Sequence, residues 1–386
     1  MDLNEILITA LNNRASDLHF KVGQPPILRI DGDLVHLKDH SAMDSSQVAK
    51  LAYQIMTERQ RERFLRDREI DMGYGIAGLG RFRVNIFQQR GTISIALRVI
   101  PFGIKGFEEL NLPEEVLEKL SMEARGLILV TGTTGNGKST TLAAMVDHIN
   151  QHRRCHVITI EDPIEFLHRD QQGIISQREI GNDTDNFAQA LKMALRQDPD
   201  VILVGEMRDF ETIETAILAA ETGHLVLSTL HTLDAAETVN RIVAVFPPYQ
   251  QKQIRLQLAG ILKGLISQRL LPRNDGVGRV PAVEIMVSTS RIRDCIVDKD
   301  KSHEIHEAIA EGVATYGMQT FDQSLMSLLK KRLITYEEAL RHSSSPDDFA
   351  LRVKGILATS DMSWDEFEKG EEEKKEEEAE VERFSR

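Results

Sequence analysis

The chain has 386 residues, 41% of them apolar and 28% charged, the balance of a globular protein with room for two domains and not of a disordered or fibrous one. No apolar run approaches the length that spans a bilayer, and Met1-Asp2-Leu3-Asn4-Glu5 lacks the basic start and apolar stretch of a secretory signal, so a cytoplasmic setting is expected. The net charge of −13 disfavours general nucleic-acid binding, which rests on phosphate neutralisation.

In chain order, the first hundred residues read as mixed α and β. Asp2 with Glu5 reads as a capped helix start, and Leu3, Ile6, Leu7, Ala10 and Leu11 share one face of that helix. Ser16–Phe20 reads as a short strand broken by Gly23-Gln24-Pro25-Pro26, and Ile27 to Leu34 as strands around the turn Asp31-Gly32. One helix pattern covers roughly 46–66. Phe82, Val84 and Ile86, then Ile93, Ile95, Leu97 and Val99, alternate on either side of Arg90-Gly91, the pattern of a hairpin with one apolar face.

Residues 101–113, with Pro101, Gly103, Gly106 and Pro113, read as a linker. Beyond it short apolar strands alternate with helices: strand Gly126–Thr131, a helix from 138 to 150, strand His156–Ile160, a helix over 184–196, strand Val201–Val204, a helix marked by Phe210, Ile213, Ile217 and Ala220, and strand Leu225–Ser228. That grammar means a parallel sheet with helices on its faces. The last third reads as mostly helical, with starts at Thr320 and Gln323, Thr335 and Glu338, and Ser345-Pro346. From Asp361 the composition turns acidic and low in complexity, with 12 acidic against 5 basic residues, as in a disordered or partly helical tail. Two cysteines, Cys155 and Cys295, suit neither a four-cysteine zinc site nor a disulfide framework and are expected as small buried residues.

Gly132-Thr133-Thr134-Gly135-Asn136-Gly137-Lys138-Ser139 matches the phosphate-binding pattern G-x-x-x-x-G-K-[ST] and sits between a predicted strand and a predicted helix, the context the motif requires. The glycines let backbone N–H groups cradle phosphates, Lys138 reaches the β- and γ-phosphates, Ser139 offers its hydroxyl to Mg²⁺, and Thr140 follows in the first helical turn. ATP and Mg²⁺ are therefore the expected cofactors. Asp200 precedes the strand Val201–Val204, and Glu206 follows it at the carboxyl end, where ligands bind in open α/β sheets. Glu206 suits the orientation or deprotonation of an attacking water, or holds the metal through water. Glu161-Asp162-Pro163-Ile164-Glu165 follows another strand, and spacing does not choose among its acids. His224 and His231 bracket the strand Leu225–Leu230 and suit either sensing of a γ-phosphate or a structural role. Arg81, Arg83 and Arg98 lie on the polar face of the hairpin, either solvated or supplied in trans to a phosphate.

Taken together these segments resemble the secretion ATPases of type II secretion and type IV pilus systems, above all the pilus retraction group. The resemblance covers about residues 1–358. It rests on Ala15-Ser16-Asp17-Leu18-His19, Gly80-Arg81-Phe82-Arg83-Val84, the P-loop, Glu161–Glu165, Asp198–Asp209, Ala220-Glu221-Thr222-Gly223-His224, Thr229-Leu230-His231-Thr232 and Gly317–Leu325.

The resemblance implies a PAS-like α+β domain over 1–100, the linker 101–113, a RecA-like P-loop ATPase domain with a helical C-terminal part over 114–358, and the tail 359–386. It implies six copies in a ring, with Glu161, Glu206 and Lys138 as the catalytic set and with His224, His231, Arg81, Arg83 and Arg98 sensing phosphate or acting in trans. It further implies docking on an inner-membrane pilus platform protein, peripheral to that membrane, and work that returns pilin subunits to it. A start at the PAS-like segment and the shortage of cysteines favour retraction over the extension and type II relatives, which carry an extra N-terminal domain and commonly a zinc module. The chain departs from the family pattern at Thr133 and Asn136, where Pro and Ser are usual, and over Arg291–Asp298, which keeps only part of the retraction signature. An accessory ATPase assisting a paralogous motor is the alternative; a nucleic-acid translocase is disfavoured by the charge.

Overall fold

The computed structural model describes residues 3–30, 32–76, 80–100 and 103–355; Asp2 of the predicted cap, Asp31 of the predicted turn, Pro101 of the predicted linker and the acidic tail from 359 lie outside them. The chain forms two compact units, one of residues up to Gly103 with Glu161–His168 and Arg178–Asn186, the other of Ile104–Ile160, Arg169–Gln177 and the residues from Phe187 onward.

The first unit contains α1 (Leu3–Asn12), β1 (Asp17–Lys21), β2 (Ile27–Ile30), β3 (Asp33–His36), α2 (Ser45–Ile55), α3 (Glu58–Asp67), β4 (Glu69–Ile76), β5 (Gly80–Gln89) and β6 (Thr92–Ile100). Its strands form one antiparallel sheet in the order β3-β2-β1-β6-β5-β4. Leu3, Ile6 and Leu7 of α1, Val48 and Leu51 of α2 and Phe64 of α3 share a core with Leu18, Phe82, Val84, Ile86, Ile95 and Leu97 of the sheet. Period-2 alternation puts those strand residues on one face. The β5–β6 connection is the predicted two-residue turn, with Arg90 at φ 48° and Gly91 at φ 78°, the left-handed pair whose twist suits a hairpin.

Two elements differ from the local reading. The helix pattern over 46–66 is two helices, because Met56 is extended (φ −92°, ψ 137°) and Thr57 opens α3 with a reciprocal Thr57–Gln60 capping box, as Asp44 and Gln47 open α2. Strand β4 buries Ile70 and Met72, but Gly73 and Gly75 interrupt its alternation, which hides it from a periodicity reading.

The second unit contains α4 (Glu114–Ser121), β7 (Gly126–Thr131), α5 (Lys138–His152), β8 (His156–Glu161), β9 (Ile174–Glu179), α6 (Phe187–Ala194), β10 (Val201–Val204), α7 (Phe210–Glu221), β11 (Leu225–Leu230), α8 (Ala235–Ala244), α9 (Pro248–Ile261), β12 (Leu262–Pro272) and β13 (Arg279–Val287). Then follow α10 (Ser290–Val297), a 3₁₀ turn (Lys299–Glu304), α11 (Ile305–Glu311), α12 (Val313–Tyr316), α13 (Phe321–Lys330), α14 (Tyr336–His342) and α15 (Pro346–Val353). The sheet order is β13-β12-β7-β11-β10-β8-β9, with β12, β7, β11, β10 and β8 mutually parallel and β13 antiparallel to β12. Strands β7, β10 and β11 are buried at every residue, as central parallel strands are when both faces are covered.

The last third is less helical than expected. It opens with the long β12–β13 hairpin, paired from Gly264 and Val287 to Pro272 and Arg279. Its strands are nearly continuous apolar runs, which periodicity does not separate from buried helix. Thr320 and Gln323 form the full capping box, and the Thr335 hydroxyl accepts the Glu338 N–H. Ser345 does not cap α15: its hydroxyl donates to the Asp348 carboxylate at 2.7 Å. Cys155 and Cys295 are buried free thiols, and burial pushes both thiol pKa values up.

Candidate nucleotide site

In the parallel core, β11 lies between the strand that leads into the P-loop and the strand that leads to Glu206. Thr131, Leu230 and Val204 end these strands, so the P-loop, His231 and Glu206 leave from one edge of the sheet. Pairing of Val204 with Ser228 and of Leu230 with Thr131 keeps those ends in register.

Gly132 has φ +134°, and a Cβ there would lie 2.5 Å from the Gln268 carbonyl oxygen, so β12 approaches the loop too closely for any side chain. Gly137 (φ +83°) turns the chain into α5, whose first-turn N–H groups have no partner within the helix and present its positive end. The Lys138 ammonium donates to the carbonyls of Gly132 (2.8 Å) and Thr133 (3.2 Å), which places the charge over the loop. The two departures from the family pattern touch each other: Asn136 Nδ2 donates to Thr133 Oγ1 at 2.8 Å, while Asn136 Oδ1 accepts the Leu270 N–H at 3.3 Å. The loop is thus braced on β12 by the residue that replaces the usual one. Arg279 donates to the Gly135 carbonyl at 3.2 Å from β13. Thr133, Thr134, Gly135 and Ser139 are exposed and Thr140 is half-buried. A glycine loop of this motif, the amide end of α5 and the Lys138 ammonium fit a polyphosphate, and the exposed Ser139 hydroxyl suits a magnesium ion bound with it.

Glu206 sits on a backbone held from both sides. Gly205 N–H donates to Ile160 (2.8 Å), the Thr229 hydroxyl to the Gly205 carbonyl (2.7 Å), and Met207 N–H to the Thr229 carbonyl (3.2 Å). Its carboxylate pairs with Arg208 at 2.8 Å and lies 3.7 Å from His231 Nε2. Asp200 is at the other edge of the sheet, where its carboxylate accepts the His156 N–H at 2.8 Å. His224 is at that far edge too, its Nδ1 2.9 Å from the Ala219 carbonyl. With the six residues of β11 between them the histidines are seven steps apart, about 23 Å at ~3.3 Å per residue. His231 thus leaves from the P-loop edge and His224 from the opposite end of the same strand, where its ring is held by the Ala219 carbonyl.

Glu161 is the last residue of β8. In the first unit, Arg83 pairs with Asp71 at 2.6 Å and Arg98 with Asp17 at 2.9 Å, both on the exposed sheet face. Arg81 is different. Its guanidinium is bound to Glu179, a carboxylate 1% exposed that also accepts the N–H groups of Gly73 (3.1 Å) and Ile164 (3.2 Å) and the Asn182 amide. Arg81 therefore moors the segment that follows Glu161, a contact that the sequence reading did not contain.

Among residues the sequence reading passed over, Glu284 of β13 is buried at 2% exposure, and His306 Nδ1 lies 3.8 Å from it. The adjacent Glu284 carboxylate raises the His306 pKa against the opposing effect of burial, with help from the charges of Asp322 and Asp234. A raised folded-state value contributes stability that is complete below the ordinary value and disappears as pH rises through the higher one. Comparing wild type with His306→Gln in thermal unfolding, the wild-type advantage should be larger at pH 6 than at pH 8. An advantage that grows with pH would contradict the pairing.

A phosphate loop after one parallel strand, an acid after another, and a third strand between them define a RecA-like P-loop ATPase. The chain belongs to the type II/IV secretion system protein family, whose model matches residues 1–341. It is 45% identical to the type IV pilus retraction ATPase PilT of Pseudomonas aeruginosa over 90% of this chain and 100% of that protein. It is 40% identical to the type IV pilus ATPase PilU of the same organism over 92% of each chain. It is 43% identical to a twitching motility protein of Neisseria gonorrhoeae over 84% of this chain and 86% of the other. The crystal structure of the pilus retraction motor PilT with bound ADP superposes with a TM-score of 0.83 at 48% identity, covering 90% of this chain and 98% of that one.

Proposed function

We propose that this chain is the ATP-hydrolysing motor of type IV pilus retraction, and so of twitching motility. The observation that carries the reading is the intact nucleotide edge, with the P-loop, Glu206 and His231 leaving from one side of the sheet. The end-to-end likeness to PilT supports it.

On this reading Gly132–Thr140 bind Mg-ATP, with Lys138 on the β- and γ-phosphates and Ser139 on the metal. Glu206 orients the attacking water or holds magnesium through water, Glu161 assists it, and His231 reports the γ-phosphate. Arg83 and Arg98 are the arginines free of buried duties and suit delivery in trans. The working form is a homo-hexameric ring on the cytoplasmic side of the inner membrane, docked on the pilus platform protein, with 1–100 and 114–358 as the domains that move. On this reading membrane contact runs through that partner; among the described residues no helix is long and apolar enough to cross a membrane. No nucleic acid is involved.

An accessory role beside a paralogous retraction or extension ATPase has its own support in the likeness to PilU. Gene deletion separates the two. If this is the principal motor, deletion leaves pili that do not retract, and wild type but not Lys138→Ala restores retraction. Retraction that persists and weakens only under load makes it the accessory ATPase.

A further inference from the structure

Strand β13 is apolar and buried along most of its length except for one acid, Glu284. A buried carboxylate is costly unless it is hydrogen-bonded, so its partners show what holds it there. Oε1 accepts the N–H of Ala235 at 2.8 Å and the hydroxyl of Ser267 at 3.3 Å. Ser267 in turn accepts from Thr131 Oγ1 at 3.1 Å. Thr131 is the residue immediately before Gly132, and Ala235 is the first residue of α8, immediately after the loop His231-Thr232-Leu233-Asp234. One carboxylate thus joins the root of the P-loop to the end of the loop that carries His231.

The loop's other side-chain hydrogen bonds return to α8 itself. Thr232 Oγ1 meets Thr238 Oγ1 at 2.6 Å, Leu233 N–H donates to Glu237 at 2.8 Å, and Asp234 caps the helix through the Glu237 N–H at 2.8 Å. They make loop and helix one piece, and the bond from Ala235 to Glu284 fastens that piece to β13. The carboxylate also suits the positive end of α8.

We propose that Glu284 is a positioning residue of the ATPase, holding the His231 loop at a set place beside Glu206 and the P-loop. The inference rests on the reading of His231 given above. It predicts a loss in turnover rather than in nucleotide binding, because Glu284 holds the His231 loop directly through the Ala235 N–H, whereas it reaches the P-loop only through Ser267 and the Thr131 hydroxyl, one residue before the phosphate cradle.

The test is a double-mutant cycle on steady-state ATP hydrolysis by the full chain. Glu284→Met keeps the side-chain length and removes both acceptor oxygens, and Glu284→Gln keeps one. Ala235→Pro removes the donated N–H from the other side, at the first helical position, where proline fits. The preceding Asp234, at φ −149° and ψ 176°, already has the extended backbone that a following proline requires. Glu284→Met and Ala235→Pro should each lower kcat about tenfold or more with KM for ATP within about twofold, since misplacement by an ångström is enough for such losses. Glu284→Gln should stay within about threefold of wild type, because an amide oxygen still accepts the Ala235 N–H. In a His231→Ala background, Glu284→Met and Ala235→Pro should cost less than about twofold, the mark of residues acting as one unit.

Losses that persist undiminished in the His231→Ala background overturn the inference and leave the His231 reading standing, as does Glu284→Gln being as impaired as Glu284→Met. Full turnover by His231→Ala alone overturns both. Should Glu284→Met not fold, Ala235→Pro carries the cycle.

Discussion

Lys138→Ala is expected to abolish ATP hydrolysis while leaving the fold intact. The Lys138 ammonium lies 2.8 Å and 3.2 Å from two loop carbonyls, over the cradle formed by Gly132 to Gly137. It is the full positive charge rooted in the loop itself; Arg279 reaches the loop from β13 through the Gly135 carbonyl, and the other donors are amides and helix-end partial charges. Removing one preorganised donor from such a site costs about a hundredfold in turnover, and removing the cation proposed to contact the transferring phosphate should cost at least that. Stability should change little. The loop conformation is set by the glycines and by Asn136 and Arg279, and alanine is the best helix former at the start of α5. Phosphate release by purified protein, with circular dichroism as the control for folding, gives the answer. Turnover within about twofold of wild type would remove Lys138 from the mechanism.

Glu179→Ala is expected to destabilise the first unit by about 3–5 kcal/mol, as much as emptying a core aromatic position. Its carboxylate is 1% exposed and takes hydrogen bonds from Gly73, Ile164, Asn182 and Arg81. Alanine would leave the Arg81 guanidinium, only 18% exposed, without its counter-charge, and two backbone N–H groups without an acceptor. The site is built around this carboxylate: a Cβ at Gly73 would stand 2.5 Å from Glu179 Oε2, so glycine there is what lets the acid approach the strand. Glu179→Gln keeps acceptors and should cost visibly less. Urea unfolding of the two variants and of Arg81→Ala reads the ordering directly. An unfolding midpoint for Glu179→Ala equal to wild type would mean that the cluster holds nothing together. The release of Ile164 also predicts that the segment after Glu161 becomes more accessible to protease.

Much of the nucleotide edge was legible in the residues alone. Strands β7 and β10 begin and end where their apolar runs do, and the P-loop, Glu206 and His231 follow from counting past those ends. Arg90-Gly91 named its hairpin because a two-residue turn needs left-handed backbone at both positions. Local rules misled where two patterns overlap. Apolar positions continue in helical spacing across Met56, yet Thr57 and Gln60 start a second helix there. Strands β12 and β13 carry no alternation because both faces are covered, so nothing local distinguished them from the helices around them. A lone glutamate within the run Val280–Val287 was the available signal, since an acid in an apolar segment requires partners.

By itself the sequence determined the chemistry: a phosphate loop needs glycines, a lysine and a hydroxyl at set spacing, and that spacing is a local property of one strand, one turn and one helix. Tertiary structure decided which distant groups share a site. It put His224 and His231 at opposite edges of the sheet, although both flank one strand, because a strand is extended and its ends are far apart. It bound Arg81 to Glu179, 98 positions away, and Glu284 to Ala235, 49 positions away. The need of a buried carboxylate for donors is written in its chemistry; which donors satisfy it depends on where folding brings the chain, and no local pattern carries that information.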